Sequence, residues 1–269
     1  MNSFFLSLKT KGYLYHDKSL IKQENLYFQK VIRKYFSKNI KYYNSLSKNK
    51  FRQIALKARD EIQYSHEIIR AKKKVIKLFQ KIFDTKSEFL ASSYFAFFPT
   101  RNLVTKKDEQ LDFHRETTYG GDKKPYHAFQ YNIWIPVFDV KKNQNLNFIE
   151  KSHLIKDEDI KLKNYGKKKK KKTASHTLGY AYWPKKIVGG VPLHKAKRFK
   201  VPKNNFLIFD GNLIHGSGTN EGKNIRFAIV FGIIAKEKFK DPFGKSYTFR
   251  SGQPTFAKPI FQNKLNLRN

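Results

Sequence analysis

Cysteine is absent from all 269 residues, which excludes disulfides, zinc–thiolate sites, iron–sulfur clusters and a cysteine nucleophile together. Acidic residues are scarce: 21 Asp and Glu stand against 56 Lys and Arg, a formal net charge of +35. No apolar run reaches about 18 residues, so no transmembrane segment is expected. The start, Met1-Asn2-Ser3-Phe4-Phe5-Leu6, has too short an apolar stretch and no basic leader for a secretory signal, so a cytoplasmic protein is the expectation. What is plentiful is aromatic. With 25 Phe, 15 Tyr and 39% hydrophobic residues, the chain can bury a sizeable core, and disorder throughout is excluded.

The positive charge has two readings. One is an anionic partner: nucleic acid, a membrane surface, or a phosphorylated or carboxylated substrate. The other is a biased nucleotide composition, because Lys, Asn, Ile, Phe and Tyr are all abundant. The densest block, Lys167 to Lys172, repels itself and is expected to be a solvated loop tip.

Composition divides the chain. Residues 1–90 read as a basic helical region packing on a core. Ile68, Ile69, Val75, Ile76, Phe79, Ile82 and Phe83 recur at spacings of three and four, the stripe of a helix with one buried face. Lys72, Lys73, Lys74, Lys77 and Lys81 are expected on its other face. From about residue 91 to the end the texture is short β runs between polar turns, which predicts a sandwich or barrel. A run at Tyr94 to Phe98 is expected to stop at Pro99. Further strands are expected at Phe129–Val140, Leu146–Ile149, Asn205–Phe209 and Ile225–Ile234. Residues 154–202 form a long lysine-rich insertion, and a loop of that length is usually functional or partly disordered.

His114-Arg115-Glu116 places an imidazole and a carboxylate at i and i+2. In an extended segment both leave the same face, about 6–7 Å apart at the backbone, and converge on one metal ion. His215 is the best third ligand, just after Phe206-Leu207-Ile208-Phe209 and the turn Asp210-Gly211-Asn212. Two imidazoles and one carboxylate on one face of an ion form the facial triad of non-haem Fe(II) oxygenases. Arg226 opens the apolar strand Phe227-Ala228-Ile229-Val230-Phe231, and a guanidinium there is costly to bury unless it meets an anion, or it snorkels to water from the strand edge. His127, His153, His176 and His194 are read as structural. Gly218-Thr219-Asn220-Glu221-Gly222-Lys223 is too short between its glycines to be a phosphate loop and follows no α/β unit.

The segment Phe209 to Ser217 followed by Arg226 resembles the distal motif of the phytanoyl-CoA dioxygenase-like (PhyH) family. Trp134 to Val140 and Asn145 to His153 resemble its central strands. Two departures stand out: Glu116 replaces the usual Asp, and Glu150-Lys151 replaces the usual Pro-Gly. The resemblance covers about Tyr94 to Ala235. It implies a mainly β fold with α, a double-stranded β-helix (jelly-roll, cupin-like) core preceded and flanked by the N-terminal helices. It also implies Fe(II), 2-oxoglutarate as co-substrate, and O2. His114, Glu116 and His215 would bind iron. Arg226, helped by Ser217, would hold the distal carboxylate of 2-oxoglutarate. Gln130 aligns with a position that also reaches the co-substrate, and Asn132, on the same strand face, is a second candidate, although both could simply be hydrogen-bonded in the core interior. Halogenating relatives lack the carboxylate ligand, so its presence favours hydroxylation or another two-electron oxidation.

The expected activity is thus a 2-oxoglutarate-dependent dioxygenase acting on a small anionic molecule. A second reading is a non-catalytic basic jelly roll that binds an anionic polymer or surface. In a third, the oxygenase acts on nucleic acid, with Tyr180-Ala181-Tyr182-Trp183 beside Lys185-Lys186 as a stacking surface.

Overall fold

Serine caps set the helical layer. In the computed structural model, which describes residues 3–84, 88–91, 96–101, 112–116, 129–164 and 185–235, Ser47 and Ser65 each accept a hydrogen bond from the third residue on, Lys50 N and Ile68 N. They start α4 and α5. In chain order the elements are α1 (Ser3–Lys11), β1 (Tyr13–Asp17), α2 (Lys22–Tyr35), α3 (Ile40–Ser45), α4 (Lys48–Gln63) and α5 (His66–Ile82). Then come β2 (Phe89–Ala91), β3 (Ala96–Thr100), β4 (Tyr131–Pro136), β5 (Asn147–Phe148), β6 (Lys161–Asn164), β7 (Lys185–Gly189), β8 (Lys197–Arg198), β9 (Asn205–Asp210), β10 (His215–Gly216) and β11 (Arg226–Ala235).

The helical stripe of α5 is buried as expected at Ile68, Val75, Ile76, Phe79 and Ile82. Lys72 departs from the expectation of an exposed lysine face. It lies one turn after Ile68, so the helical period carries it onto the apolar stripe, where its ammonium sits 5.7 Å from the centre of the Phe231 ring.

Two antiparallel sheets make the jelly roll. The larger runs β1-β9-β4-β11-β2, with β3 also on β11, and the smaller runs β10-β5-β8. Neither closes on itself, so there is no barrel among the described residues. Alternation along the strands of the larger sheet explains both of its faces. Ile133, Ile135, Phe206, Ile208, Phe227, Ile229, Phe231 and Ile233 join the helices in one core. Trp134, Leu207, Phe209 and Ala228 pack the other way, against Phe148 and Phe199 of the smaller sheet side. A sheet buried on both faces reads as nearly continuous apolar runs, which is why β4, β9 and β11 stood out in the sequence.

Two boundaries and one strand differ from expectation. β3 runs through Pro99 to Thr100, because among the described residues it pairs only with β11 and an edge strand tolerates a missing N–H. β4 stops at Pro136, short of Val140. β1 was not foreseen; it pairs with β9 from Tyr13↔Phe209 to Asp17↔Asn205, so the N-terminal region contributes a strand to the larger sheet. The insertion is structured where it is described: β6 and β7 pair as a hairpin, packed through Ile160 and Ile187 against Ile149 and Ile214. The lysine block 167–172 and residues 180–183 lie outside the described residues, as do His127 and His176. No helix among the described residues is long and apolar enough to cross a membrane.

Candidate metal centre

The turn after β9 forms for local reasons. Asp210 accepts from Asn212 N at 2.7 Å through its side chain and from Leu213 N at 2.9 Å through its carbonyl. The chain thereby turns back into β10, and His215 faces Phe148 across the smaller sheet. His114 forms an antiparallel bridge with His215, each donating its N–H to the other's carbonyl at 2.9 Å. Glu116 N donates to Gly211 O at 2.8 Å, and Gly211 N donates to Gln130 O at 2.7 Å. Three segments distant in sequence are thus tied by main-chain bonds at the place where the side chains meet.

Ligand-type atoms of His114, Glu116 and His215 all lie within 4.8 Å of one another. Both imidazoles are buried, and Glu116 is half-buried. His114 Nδ1 donates to Asp112 O at 2.7 Å, and His215 Nδ1 donates to Leu213 O at 2.9 Å. A carbonyl can only accept, so both rings carry a proton on Nδ1, which leaves Nε2 as the ligand-type atom of each. That backbone anchoring is how metal-binding histidines are oriented. His215 Nε2 stands 3.9 Å from Glu116 Oε1, and burial pushes its pKa down to about 4, which keeps it neutral and able to ligate. The Phe209 ring walls one side, 4.6 Å from the His215 ring. Two imidazoles and one carboxylate suit a divalent first-row metal such as Fe(II).

The amides fall beside the carboxylate. Asn132 Nδ2 donates to Glu116 Oε1 at 2.8 Å, and Gln130 Nε2 donates to Asn132 Oδ1 at 2.7 Å. Gln130 lies over Gly232 of β11, where an added Cβ would sit 2.6 Å from its side-chain carbon. Arg226 belongs to a neighbouring group toward the other end of β11. Its Nη1 donates to Gln144 O at 2.7 Å and to Gly218 O at 3.5 Å, and its Nη2 donates to Thr100 Oγ1 at 2.9 Å. Nε is buried with no partner among the described residues. Every one of these acceptors is neutral, and burial pushes the guanidinium pKa down to about 10. An orphaned donor on a desolvated cation fits a carboxylate ligand. Ser217 is half-buried on the segment joining His215 to Gly218.

Other residues were not legible as parts of this region. Asn220 is fully buried and binds Thr100 O, Asn224 O, Gln144 Nε2 and Gly222 N, which makes the rejected phosphate-loop segment a folded turn under Arg226. Arg115, between two candidate ligands, is 2% exposed. His153 Nε2 lies 3.1 Å from Lys9 O and His194 is exposed, both away from the three-residue cluster. The substitution of Lys151 for glycine is visible in the backbone: Lys151 sits at φ 56°, ψ 12°, a left-handed conformation that glycine adopts without strain.

The family model for phytanoyl-CoA dioxygenase (PhyH) matches residues 28–228. No curated protein sequence matches. Among solved structures, EvdO2 from Micromonospora carbonacea var. aurantiaca, in complex with 2-oxoglutarate, is similar with TM-score 0.53 and 11% identity, covering 86% of this chain and 89% of that one. AviO1 from Streptomyces viridochromogenes Tue57 gives TM-score 0.48 and 12% identity, covering 87% and 94%. The epimerase SnoN from nogalamycin biosynthesis, in complex with Fe3+, alpha ketoglutarate and nogalamycin RO, gives 0.44 and 10%, covering 94% of each chain. At these identities the likeness to EvdO2 is one of fold. The family match spans most of the chain and agrees with the jelly roll, against the reading as a non-catalytic basic shell. The chain belongs to the phytanoyl-CoA dioxygenase (PhyH) family and is a 2-oxoglutarate-dependent non-haem iron oxygenase that uses Fe(II), 2-oxoglutarate and O2.

Proposed function

We propose that this oxygenase hydroxylates an unactivated C–H bond of a small anionic molecule, with 2-oxoglutarate converted to succinate and CO2. His114 Nε2, His215 Nε2 and a Glu116 carboxylate oxygen hold the iron. Arg226, with Ser217 beside it, takes the distal carboxylate of 2-oxoglutarate. Asn132 is engaged with Glu116 and Gln130 with Asn132, so both act on the co-substrate's surroundings through that carboxylate. Iron and 2-oxoglutarate, when bound, supply oxygen activation coupled to oxidative decarboxylation.

The chain's own residues do the remaining work. Bonds from Nδ1 of His114 and of His215 to the carbonyls of Asp112 and Leu213 fix the ring planes, so little reorganisation accompanies metal capture. Asn132 holds Glu116 in place, which suits a side chain one methylene longer than the usual Asp. Packing of Phe209 against His215 limits water on that side. The anionic substrate is supported by the net charge of +35.

The observation that carries this reading is the convergence of three ligand atoms with both Nδ1 positions already occupied. Succinate formation from 2-oxoglutarate, with Fe(II) and O2 supplied, tests it. His215→Ala should abolish turnover; a variant that keeps the parent rate contradicts the ligand assignment. Product analysis with a panel of phosphate esters and carboxylates then separates hydroxylation from other two-electron outcomes.

A further inference from the structure

We infer that Arg115 and Ser152 form a clamp that positions the iron ligands, a role resting on the ligand assignment proposed above. Arg115 is the residue between His114 and Glu116, yet its guanidinium turns to a different set of partners. Nη1 donates to Ile155 O at 3.1 Å and Asp157 Oδ1 at 2.7 Å, and Nη2 donates to Ser152 O at 2.9 Å. Ser152 is fully buried, and its hydroxyl donates to Ile149 O at 2.7 Å and accepts from Ile214 N at 2.7 Å. Ile149 N donates to Ile214 O at 2.9 Å, and His114 and His215 exchange their two main-chain bonds at the same length.

These bonds close a circuit: Arg115 to Ser152, Ser152 to Ile214, along the chain to His215, across to His114, and back along the chain to Arg115. Each candidate histidine ligand is one residue from a member of the circuit, His114 from Arg115 and His215 from Ile214. Stability alone does not account for an arginine here, because a buried ion pair is often no better than a well-packed apolar residue, and Asp157 is 65% exposed at its side chain. What the fork of donors adds is geometry. It fixes the 152–157 turn against both ligand-bearing segments at once, and a ligand set displaced by about 1 Å binds and reacts far less well. Arg115 and Ser152 are therefore positioning residues, with no contact to substrate required.

Co(II), titrated into the full chain and followed by its visible ligand-field absorption, tests the clamp without turnover. Arg115→Ala and Ser152→Ala should each weaken Co(II) binding by roughly 10–100-fold and alter the band shape, the range found when outer partners of metal ligands are removed. Arg115→Lys, which retains a donor, should recover part of the loss. Ile62→Ala, on the buried face of α4, should lower the melting temperature while keeping parent Co(II) affinity. If Arg115→Ala fails to fold, Ser152→Ala removes one hydroxyl from the same circuit and carries the test. Affinities within twofold of the parent in both clamp variants, with His215→Ala still abolishing binding, would overturn the clamp alone. An equal loss in Ile62→Ala would also overturn it, as general destabilisation. Parent-like binding by His215→Ala would instead remove the ligand assignment, and the clamp with it.

Discussion

Arg226→Met is the substitution whose consequence the structure states most sharply. Arg226 is 3% exposed, and among the described residues its guanidinium is bonded only to neutral oxygens, those of Gln144, Gly218 and Thr100. Its pKa falls from 12.5 to about 10, which corresponds to about 3 kcal/mol against carrying the charge. A carboxylate brought alongside recovers an interaction of that order, and about 3 kcal/mol is roughly a 100-fold change in affinity. Arg226→Met should therefore weaken 2-oxoglutarate binding by about 100-fold or more. Binding of 2-oxobutyrate, which has the same 2-oxo acid end and no distal carboxylate, should change little. Calorimetric titration of Mn(II)-loaded protein with both acids measures the two affinities, and far-UV circular dichroism checks the fold. Should parent and variant bind 2-oxoglutarate within about threefold of each other, Arg226 is not the carboxylate partner, and its burial needs another explanation.

Other consequences concern stability. Burial brings the Lys72 ammonium from 10.5 to about 7. The folded chain then releases this proton near pH 7 while the unfolded chain keeps it until about 10.5, so stability rises with pH across that window. Lys72→Met should stabilise the protein most below pH 7, by up to about 4–5 kcal/mol, and progressively less toward pH 10. Urea melts of both proteins at pH 6, 8 and 10 give the comparison, and a gain independent of pH would refute it. Lys151→Gly should add about 0.5–1 kcal/mol by relieving the left-handed backbone at φ 56°, net of the entropy that glycine adds to the unfolded chain, and thermal melts would read it. Gly12→Ala should cost about 1–2 kcal/mol in the same assay. Gly12 has φ 81°, and an added Cβ would lie 2.5 Å from His153 Nδ1.

How much of this was legible in the sequence depends on where each signal resides. β4, β9 and β11 were visible because burial on both faces makes them unbroken apolar runs. His114, Glu116 and His215 were visible because a facial triad demands particular side chains, and the i, i+2 spacing is itself geometric. β1 was not visible. Tyr13-Leu14-Tyr15-His16-Asp17 buries only Leu14, and its partner β9 lies nearly 200 residues on. Lys72 misled because its neighbours Lys73, Lys74 and Lys77 suggest a solvated face, although its position one turn from Ile68 argues otherwise. Arg115 and Ser152 gave no signal because their partners are largely main-chain atoms, which carry no mark of residue type. Gln130 and Asn132 were marked as candidate co-substrate contacts or hydrogen-bonded interior amides, but only the fold shows that Asn132 donates to Glu116.

The proposed ligand set, in which two imidazoles and the Glu116 carboxylate hold one ferrous ion, is tested most directly by anomalous scattering at the iron absorption edge from anaerobic Fe(II)-loaded crystals. A single strong peak bonded to Nε2 of His114, Nε2 of His215 and an oxygen of Glu116 is expected. An iron peak coordinated elsewhere, or no ordered iron at these three side chains in the loaded protein, would contradict it.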